Sequence, residues 1–380
     1  MNKGEMKRLG DYIREVDVRN RNLEVTKLLG VSISKEFMPS IANTIGTDMS
    51  SYKVVKPRQF VYIADTSRRG DKIAIALLQG KNNKAIVSSI YTVFEVKNKQ
   101  ELLPEYLMMW FRRPEFDRYA RFKSHGSARE IFSWEEMCDV ELPVPPIEQQ
   151  QKIVSEYEAI THRIRLNEQI ITKLEETAQT LYRKMFVDGI NKENLPEGWR
   201  MGTLGEVADF TYGKMPDKTS KGDIPIFSGY GIVGYTNIPM YKKQLIIVIA
   251  RGDAGSGKIV LSPNVFYLTN LAIAILLKDD NMKYYLYYHL LNSDTSTLRS
   301  GSAQAQVTIN SLFSYEIIIP SNDDYREFDK LISLVNKQMQ ILIDENMKLT
   351  ELQSLLLAKM GQGNMVETQN FASLQRGDQQ

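Results

Sequence analysis

The sequence predicts an α+β protein in which two tandem α/β domains are separated by a pair of long antiparallel coiled-coil helices, with a pseudo-two-fold internal repeat. Three observations predict this class: a repeated segment, the same order of β-type runs and helices in the two halves, and a heptad stripe after each half. The length of 380 residues also favours two domains, at about 100 to 200 residues each.

The repeat is clearest in "HGSAREIFSWEEMCDVELPVPPIEQQQKIV", which begins at residue 125 and has a degraded copy, "SGSAQAQVTINSLFSYEIIIPSNDDYREFDKLI", at residue 300. The two stretches align without a gap. Matching residues include Gly126 with Gly301, Ser127 with Ser302, Ala128 with Ala303, Glu141 with Glu316 and Pro145 with Pro320. A repeat of this length indicates a duplicated domain followed by a duplicated helix.

The order of segments sets the predicted boundaries. Residues 1–147 form the first domain, in which β-type runs such as "FVYIAD" and "IAIALL" precede the helical pattern "LLPEYLMMWFRRPEF". Residues 148–187 form the first long helix, and residues 188–322 comprise a polar linker and a second domain with the same order of patterns. Residues 323–360 form the second long helix, and residues 361–380 are a polar tail that we expect to be disordered.

Both long helices carry a regular apolar stripe. Its positions step by alternating four and three residues, from Ile153 to Met185 in the first helix and from Phe328 to Met360 in the second. Each helix would span about 38 residues and roughly 57 Å, and neither would be stable alone in water. The stripes could pack on their own domains, but the 3.5-residue period favours pairing of the two helices.

Two asparagines interrupt the apolar stripes. If the helices are antiparallel, Asn167 of the first meets Asn346 of the second, and facing amides can hydrogen-bond and fix the register. The alternative is that each asparagine lies at a solvated edge of the stripe.

Composition excludes several classes of protein. A net charge of +2 argues against a wholly basic coat, so any polyanion must bind local patches. The single cysteine, Cys138, precludes an intramolecular disulfide and fits a reducing cytoplasm. The N-terminus does not resemble a signal peptide, and apolar runs such as "LIIVIA" are too short to cross a bilayer. We therefore expect a cytoplasmic protein that does not bind membranes.

The motifs do not indicate catalysis. In "ARGDAGSGKIV", Gly252, Gly257 and Lys258 fit the spacing of a phosphate loop, but Ile259 stands where a serine or threonine should hold magnesium. A basic, glycine-containing hairpin is the simpler interpretation. The three histidines, His125, His162 and His289, lack metal-ligand spacing. We predict no catalytic residue, no metal and no cofactor in this chain.

The remaining chemistry is recognition. Arginine and lysine neutralise phosphates, and arginine and glutamine can read base edges. Taken singly, each such residue is more often an ordinary surface residue, but they recur on predicted loops of both halves. The DNA-binding candidates are Arg68, Arg69, Lys72, Arg121, Lys123 and Arg129 in the first half, and Tyr230, Tyr235, Lys242, Lys243, Arg251, Lys258, Arg299, Gln304 and Gln306 in the second.

Four motifs in order, "GSA", "LPVPPIEQQQKI" before the first helix, "LPEGWRMGTLGEV" and "FSGYGIVGY", resemble the specificity subunit of type I restriction-modification systems. The resemblance covers residues 8 to about 360 and implies two target recognition domains, each reading one half of a bipartite double-stranded DNA site. It also implies a non-catalytic subunit that recruits two methyltransferase subunits, which use S-adenosylmethionine, and restriction subunits, which use ATP and magnesium. The second copy, "IPSNDDYREFDKL", lacks the P-P-x-x-E-Q pattern of Pro145, Pro146, Glu148 and Gln149, so equal partner contacts at the two junctions are not expected.

Two alternatives stay open at this point. A coiled-coil protein scaffold without intrinsic DNA specificity would fit the near-neutral charge, and salt-dependent DNA affinity would exclude it. An enzyme with an unrecognised active site has only the incomplete phosphate loop in its favour. The bases that each domain reads do not follow from the sequence.

Overall fold

The computed structural model describes residues 6–40, 46–65, 72–80, 83–125, 130–215, 222–252, 255–300 and 306–361. The predicted tail, 361–380, lies almost wholly outside the described residues. The chain forms two compact units: the first runs to Leu166 and resumes at Glu345, and the second comprises Asn167–Asp344.

The described residues of the first unit form ten short strands and three short α-helices. The strands are β1 (Met6–Arg8), β2 (Ile13–Glu15), β3 (Leu29–Val31), β4 (Phe37–Pro39), β5 (Lys53–Val55), β6 (Gln59–Tyr62), β7 (Ile75–Leu77), β8 (Ala85–Val87), β9 (Thr92–Val96) and β10 (Glu141–Pro143). The helices are α1 (Pro104–Phe111), α2 (Pro114–Lys123) and α3 (Trp134–Cys138). The main antiparallel sheet has the order β2-β9-β6-β7, and β1 pairs with β10, β3 with β4 and β5 with β8.

Aromatic side chains form the centre of the first core. The Phe60 and Phe94 rings stack with centroids 4.8 Å apart, and the Phe111 ring meets Phe60 edge-on at 5.7 Å. Helices α1 and α2 both begin at a proline, which fits the first helical position because the N–H that it lacks would have no partner there.

A buried ion pair fixes the turn between β3 and β4. Lys35, in the left-handed region at φ 64°, extends its ammonium into the unit and contacts the Asp117 carboxylate at 2.7 Å. The same ammonium donates to the Phe111 carbonyl oxygen, and Asp117 also accepts from the Ile73 N–H. Burial lowers the pKa of Lys35, and the Asp117 carboxylate opposes that shift. These contacts connect the β3–β4 turn to α2.

The second unit repeats the sheet order of the first. Its strands are β11 (Arg200–Thr203), β12 (Ala208–Tyr212), β13 (Ile224–Phe227), β14 (Ile232–Thr236), β15 (Ile246–Ile249), β16 (Ile259–Leu261), β17 (Tyr267–Leu268), β18 (Ala272–Leu277), β19 (Arg299–Ser300), β20 (Gln306–Val307) and β21 (Glu316–Ile319). The order β12-β18-β15-β16 corresponds to β2-β9-β6-β7, and the pair β11-β21 corresponds to β1-β10. The second unit also contains a three-stranded sheet, β14-β13-β17, and β14 lies at its edge.

Two helices of 40 residues contribute to both units. In chain order the remaining helices are α4 (Ile147–Phe186), α5 (Leu204–Val207), α6 (Lys283–Leu291), α7 (Ile309–Phe313) and α8 (Asn322–Gly361). Residues 147–166 of α4 and 345–361 of α8 belong to the first unit, and residues 167–186 and 322–344 belong to the second.

Within the first unit, the segments of α4 and α8 contact each other and run in opposite chain directions. The Arg163 guanidinium forms a two-pronged ion pair with Glu345 at 2.9 and 3.1 Å, and Gln353 donates to the Thr161 hydroxyl at 2.6 Å. Within the second unit, the Phe328 ring of α8 lies 5.1 Å from Phe186 of α4.

The start of each long helix is tied to the loop before a short helix. Gln150 of α4 is fully buried; its side chain accepts from the Leu103 N–H and donates to the carbonyl oxygens of Glu101 and Pro145, each at 2.8 Å. At the aligned position of α8, the Tyr325 hydroxyl donates to Asp279, which precedes α6, at 2.9 Å. Different side chains therefore serve the same anchoring purpose in the two units.

A half-buried histidine lies beside two tyrosines of the second core. Nδ1 of His289 lies 3.2 Å from the Tyr182 hydroxyl and 3.4 Å from the Tyr285 hydroxyl. Burial disfavours the imidazolium, and the positive charge of Lys192 adds to this, so the pKa of His289 falls to about 4. His289 is therefore neutral in the folded protein at neutral pH.

This histidine should make the second unit acid-sensitive. Because its folded pKa lies below its unfolded value, the unfolded chain binds more protons between those two values, and stability falls as the pH decreases below the unfolded value. The loss should reach about 2 kcal/mol between roughly pH 6.5 and 5. Denaturant titrations at several pH values measure it, and His289→Gln, which cannot titrate, is the control. The same pH dependence in both proteins would contradict this assignment.

Candidate nucleic-acid interface

The segment that resembles a phosphate loop is a β-hairpin turn. It joins β15 to β16, whose antiparallel pairing continues through hydrogen bonds from the Ile249 N–H to the Lys258 carbonyl oxygen and from the Gly257 N–H back to Ile249. A phosphate loop leads into a helix whose N-terminus binds the anion, whereas this turn leads into a strand. The structure therefore supports the interpretation as a basic hairpin.

We call its described residues, Arg251, Gly252 and 255–258, the basic turn. The side chains of Arg251 and Lys258 are exposed, while Ser256 is buried beneath them. Gly252 and Gly257 have φ angles of +122° and +87°, a conformation that side chains strongly disfavour. The glycines thus allow a tight turn that presents two cations to solvent.

Three more predicted residues lie next to the basic turn. The Tyr230 hydroxyl donates to the Arg251 carbonyl oxygen at 3.0 Å. Arg299 is exposed on β19, and its Nε lies 3.3 Å from where a Cβ on Gly257 would be. Gln306 is on β20, whose Val307 N–H donates to the Ala250 carbonyl oxygen at 3.0 Å. The structure therefore brings together Tyr230, Arg251, Lys258, Arg299 and Gln306.

The charges of this cluster are available to a polyanion. Among the described residues, no carboxylate forms a salt bridge with Arg251, Lys258 or Arg299. Phosphate contacts would therefore not require these cations to break an ion pair with a described residue. This distinguishes them from Arg121, Lys123 and Lys243, each of which is paired with a carboxylate.

The other candidates of the second unit lie elsewhere. Lys242 and Lys243 precede β15, at the end opposite the basic turn, and the Lys243 ammonium pairs with Asp280 at 2.7 Å. Tyr235 lies on the edge strand β14, with 52% of its surface exposed. β15 therefore separates the two lysines from the basic turn, and the structure does not bring them into the group around it.

In the first unit, the predicted residues that are described include two paired cations. Arg121 forms an ion pair with Glu130, and the Lys123 ammonium lies 3.5 Å from Glu136. Lys72 is exposed just before β7. Arg68, Arg69, Arg129 and Gln304 lie outside the described residues, as do the repeated Gly-Ser-Ala segments.

Sequence reasoning missed apolar side chains that are exposed beside the candidates. Phe122 is 80% exposed between Arg121 and Lys123, and Ile232 and Val233 on β14 are 52% and 64% exposed. The run "GIVGY" predicts a strand, but its edge position depends on tertiary pairing that the local pattern does not show.

The two asparagines of the helix stripes belong to different units. Asn167 is fully buried in the second unit. Asn346 is half-buried in the first unit, where its amide donates to the Ile164 carbonyl oxygen at 3.5 Å. Their mutual pairing stays a prediction.

The described ranges contain no cluster of three or more histidine, cysteine, aspartate or glutamate side chains that could bind a metal ion. No described helix is long and apolar enough to cross a membrane.

A family model for the type I restriction modification DNA specificity domain matches the chain twice, over residues 32–176 and 196–361. The chain belongs to this family. Specificity subunits of type I systems are non-catalytic, and membership implies sequence specificity for DNA. The family suggested by the sequence motifs is thus confirmed.

Curated relatives and a solved structure agree with this assignment. The chain is 22% identical over 377 residues to the type I restriction enzyme HindI specificity subunit of Haemophilus influenzae, covering 74% of this chain and 81% of the relative. It is 22% identical over 309 residues to the MjaIX specificity subunit of Methanocaldococcus jannaschii, covering 70% of each. The S subunit from M. genitalium has a similar fold, with a TM-score of 0.65 at 15% identity, over 95% of this chain and 97% of that one.

Proposed function

We propose that this chain is the subunit that selects the DNA site of a type I restriction-modification complex. The observation that carries the proposal is the double match of one DNA specificity domain, once in each half of the chain. We propose that the two matched regions arose by duplication and that each reads one half of a bipartite site. Recognition of two half-sites would explain why the segment that begins at residue 125 has a second copy at residue 300.

We further propose that the long helices pair as an antiparallel coiled coil and set the distance between half-sites. A helix of 40 residues is about 60 Å long, and one turn of B-DNA rises about 34 to 36 Å. Half-sites separated by a non-specific spacer fit these lengths better than a continuous sequence does.

Family membership also suggests the partners of this chain. We propose that two methyltransferase subunits and the restriction subunits bind this chain in the cytoplasm and supply the chemistry. S-adenosylmethionine, ATP and magnesium would then belong to those subunits. The alternative of a pure protein scaffold has no comparable support.

The cations of the basic turn provide a direct test of DNA binding. In a complex assembled with the methyltransferase subunits, Arg251→Ala or Lys258→Ala should weaken DNA binding several-fold. For a phosphate contact, the slope of log affinity against log salt should decrease by about one. Titrations by fluorescence anisotropy at several salt concentrations measure both quantities.

Lys243→Ala is the matched control, because this lysine is already paired with Asp280 and lies at the opposite end of β15. It should leave affinity and slope unchanged. If all three variants bind like the wild type, the basic turn does not contact DNA.

The bipartite site has its own test. Genome-wide mapping of methylated adenines should return two short half-sites separated by a spacer of fixed length. Replacing residues 188–322 with the equivalent segment of another family member should change only one half-site. A continuous motif, or a change in both halves, would contradict the assignment of one half-site to each half of the chain.

The predicted asparagine pair can be tested by a thermal double-mutant cycle. If Asn167 faces Asn346, Asn346→Leu should leave the amide of Asn167 without that partner, at a cost of about 1 to 3 kcal/mol. The double leucine variant should recover much of this loss by forming another apolar layer. Additive effects of the two single changes would mean that these residues do not meet.

A further inference from the structure

Two turns of the second unit are interlocked through one tyrosine. Tyr230 lies in the turn between β13 and β14, and its hydroxyl donates to the Arg251 carbonyl oxygen in the basic turn at 3.0 Å. Tyr230 is 53% exposed, so its ring is a surface group rather than part of a core. The bond thus joins two surface turns that are 21 residues apart in sequence.

Two glycines of the basic turn leave the space that the Tyr230 ring occupies. A Cβ on Gly255 would lie 2.4 Å from Cε1 of Tyr230, and a Cβ on Gly252 would lie 2.1 Å from its hydroxyl oxygen. Real Cβ atoms essentially never approach other atoms so closely. Any side chain at these two positions would displace Tyr230, so glycine is required for the interlock as well as for the backbone angle at Gly252.

Contacts within the turn between β13 and β14 also restrain Tyr230. Ser228, with only 3% of its surface exposed, accepts from the Tyr230 N–H at 3.3 Å through its hydroxyl, and its N–H donates to the Gly231 carbonyl oxygen at 3.0 Å. A Cβ on Gly229 would lie 2.9 Å from a side-chain carbon of Ile249, the last residue of β15. The backbone of Tyr230 is therefore fixed against the sheet from which the basic turn emerges.

We infer that Tyr230 is a positioning residue that fixes Arg251 for reading the second DNA half-site, an inference that rests on the proposed function. An arginine discriminates between bases through a planar, two-pronged contact, which requires its backbone to be correctly placed. A glycine-rich turn left to itself has high conformational entropy, which binding would have to remove. The hydroxyl of Tyr230 reduces that cost by holding the carbonyl group of Arg251 before DNA binds.

The test compares half-site discrimination in complexes assembled with the methyltransferase subunits. After the site has been mapped, affinities are measured for the cognate duplex and for duplexes with one changed base pair in either half. Tyr230→Phe keeps the ring but loses the hydrogen bond, so discrimination at the second half-site should fall about three- to tenfold. Discrimination at the first half-site and the melting temperature should not change. A general loss of structure would change both.

Tyr267→Phe is the matched control, since the hydroxyl of Tyr267 on β17 of the same three-stranded sheet also donates to a backbone carbonyl oxygen, that of Met215 at 3.5 Å, and it should have no effect. Gly255→Ala should reduce second-half discrimination further than Tyr230→Phe. In a Tyr230→Ala background, however, Gly255→Ala should reduce this discrimination little further, because the ring that the new methyl group would displace is absent. This non-additivity identifies the interlock even if Gly255→Ala alone folds poorly.

The outcomes separate this inference from the proposed function. Two results together would show that the interlock does not position Arg251, provided that Arg251→Ala abolishes second-half discrimination. Tyr230→Phe would behave like Tyr267→Phe, and the changes at 230 and 255 would be additive. The proposed function would then still stand. If the wild-type complex does not discriminate among second-half sequences at all, the proposed function fails, and the inference fails with it.

Discussion

The burial of segments of both long helices in each core is the interaction on which the rest of the structure depends. The first core contains Ile153 and Tyr157 of α4 together with Met360 of α8, and the second contains Tyr182 of α4 together with Phe328 of α8. Exposed, these stripes would make each helix unstable in water. The short strands, most of them three to five residues long, also need this packing, because small isolated sheets are marginally stable. Helices and sheets therefore depend on each other for stability.

The side chains that anchor the start of each long helix differ between the two units. Gln150 satisfies three backbone groups of the first unit, whereas Tyr325 binds a carboxylate in the second. The loss of the P-P-x-x-E-Q pattern in the second half therefore does not remove the anchor. What differs is the set of side chains beside it: Pro146 and Gln149 of the first junction align with Ser321 and Asp324 of the second, whereas the exposed Glu148 aligns with another exposed acid, Asp323. A partner that contacts both junctions would meet different surfaces.

Sequence periodicity was most informative where local pattern and tertiary environment agree. The α+β class and the basic hairpin at 251–258 could both be read from the sequence, because period-2 and period-3.5 patterns report burial directly. The helices predicted over 148–187 and 323–360 compare with Ile147–Phe186 and Asn322–Gly361 in the structure. The internal duplication and the pairing of the long helices remain proposals.

The candidate site was harder to predict, because charge alone does not say which lysine or arginine already has a partner. Lys243 and Arg251 look alike in sequence, yet one is paired with Asp280 and the other lies next to Tyr230. The contact between Tyr230 and Arg251 joins different sheets, so no local pattern contains it. The glycines of "ARGDAGSGKIV", Gly252 and Gly257 among them, were a sequence signal, but they indicate a turn without indicating which side chain packs on it.

The edge strand β14 has a consequence for handling the protein. It presents Ile232 and Val233 to solvent at the edge of a three-stranded sheet, where β13 is its one strand partner among the described residues. Such an edge is a template for strand pairing between molecules, which natural proteins usually oppose with charges or proline. Within β14 itself neither is present, since the strand reads "IVGYT". Intermolecular strand addition at this edge is thus the expected route to aggregation when the chain is concentrated without its partners.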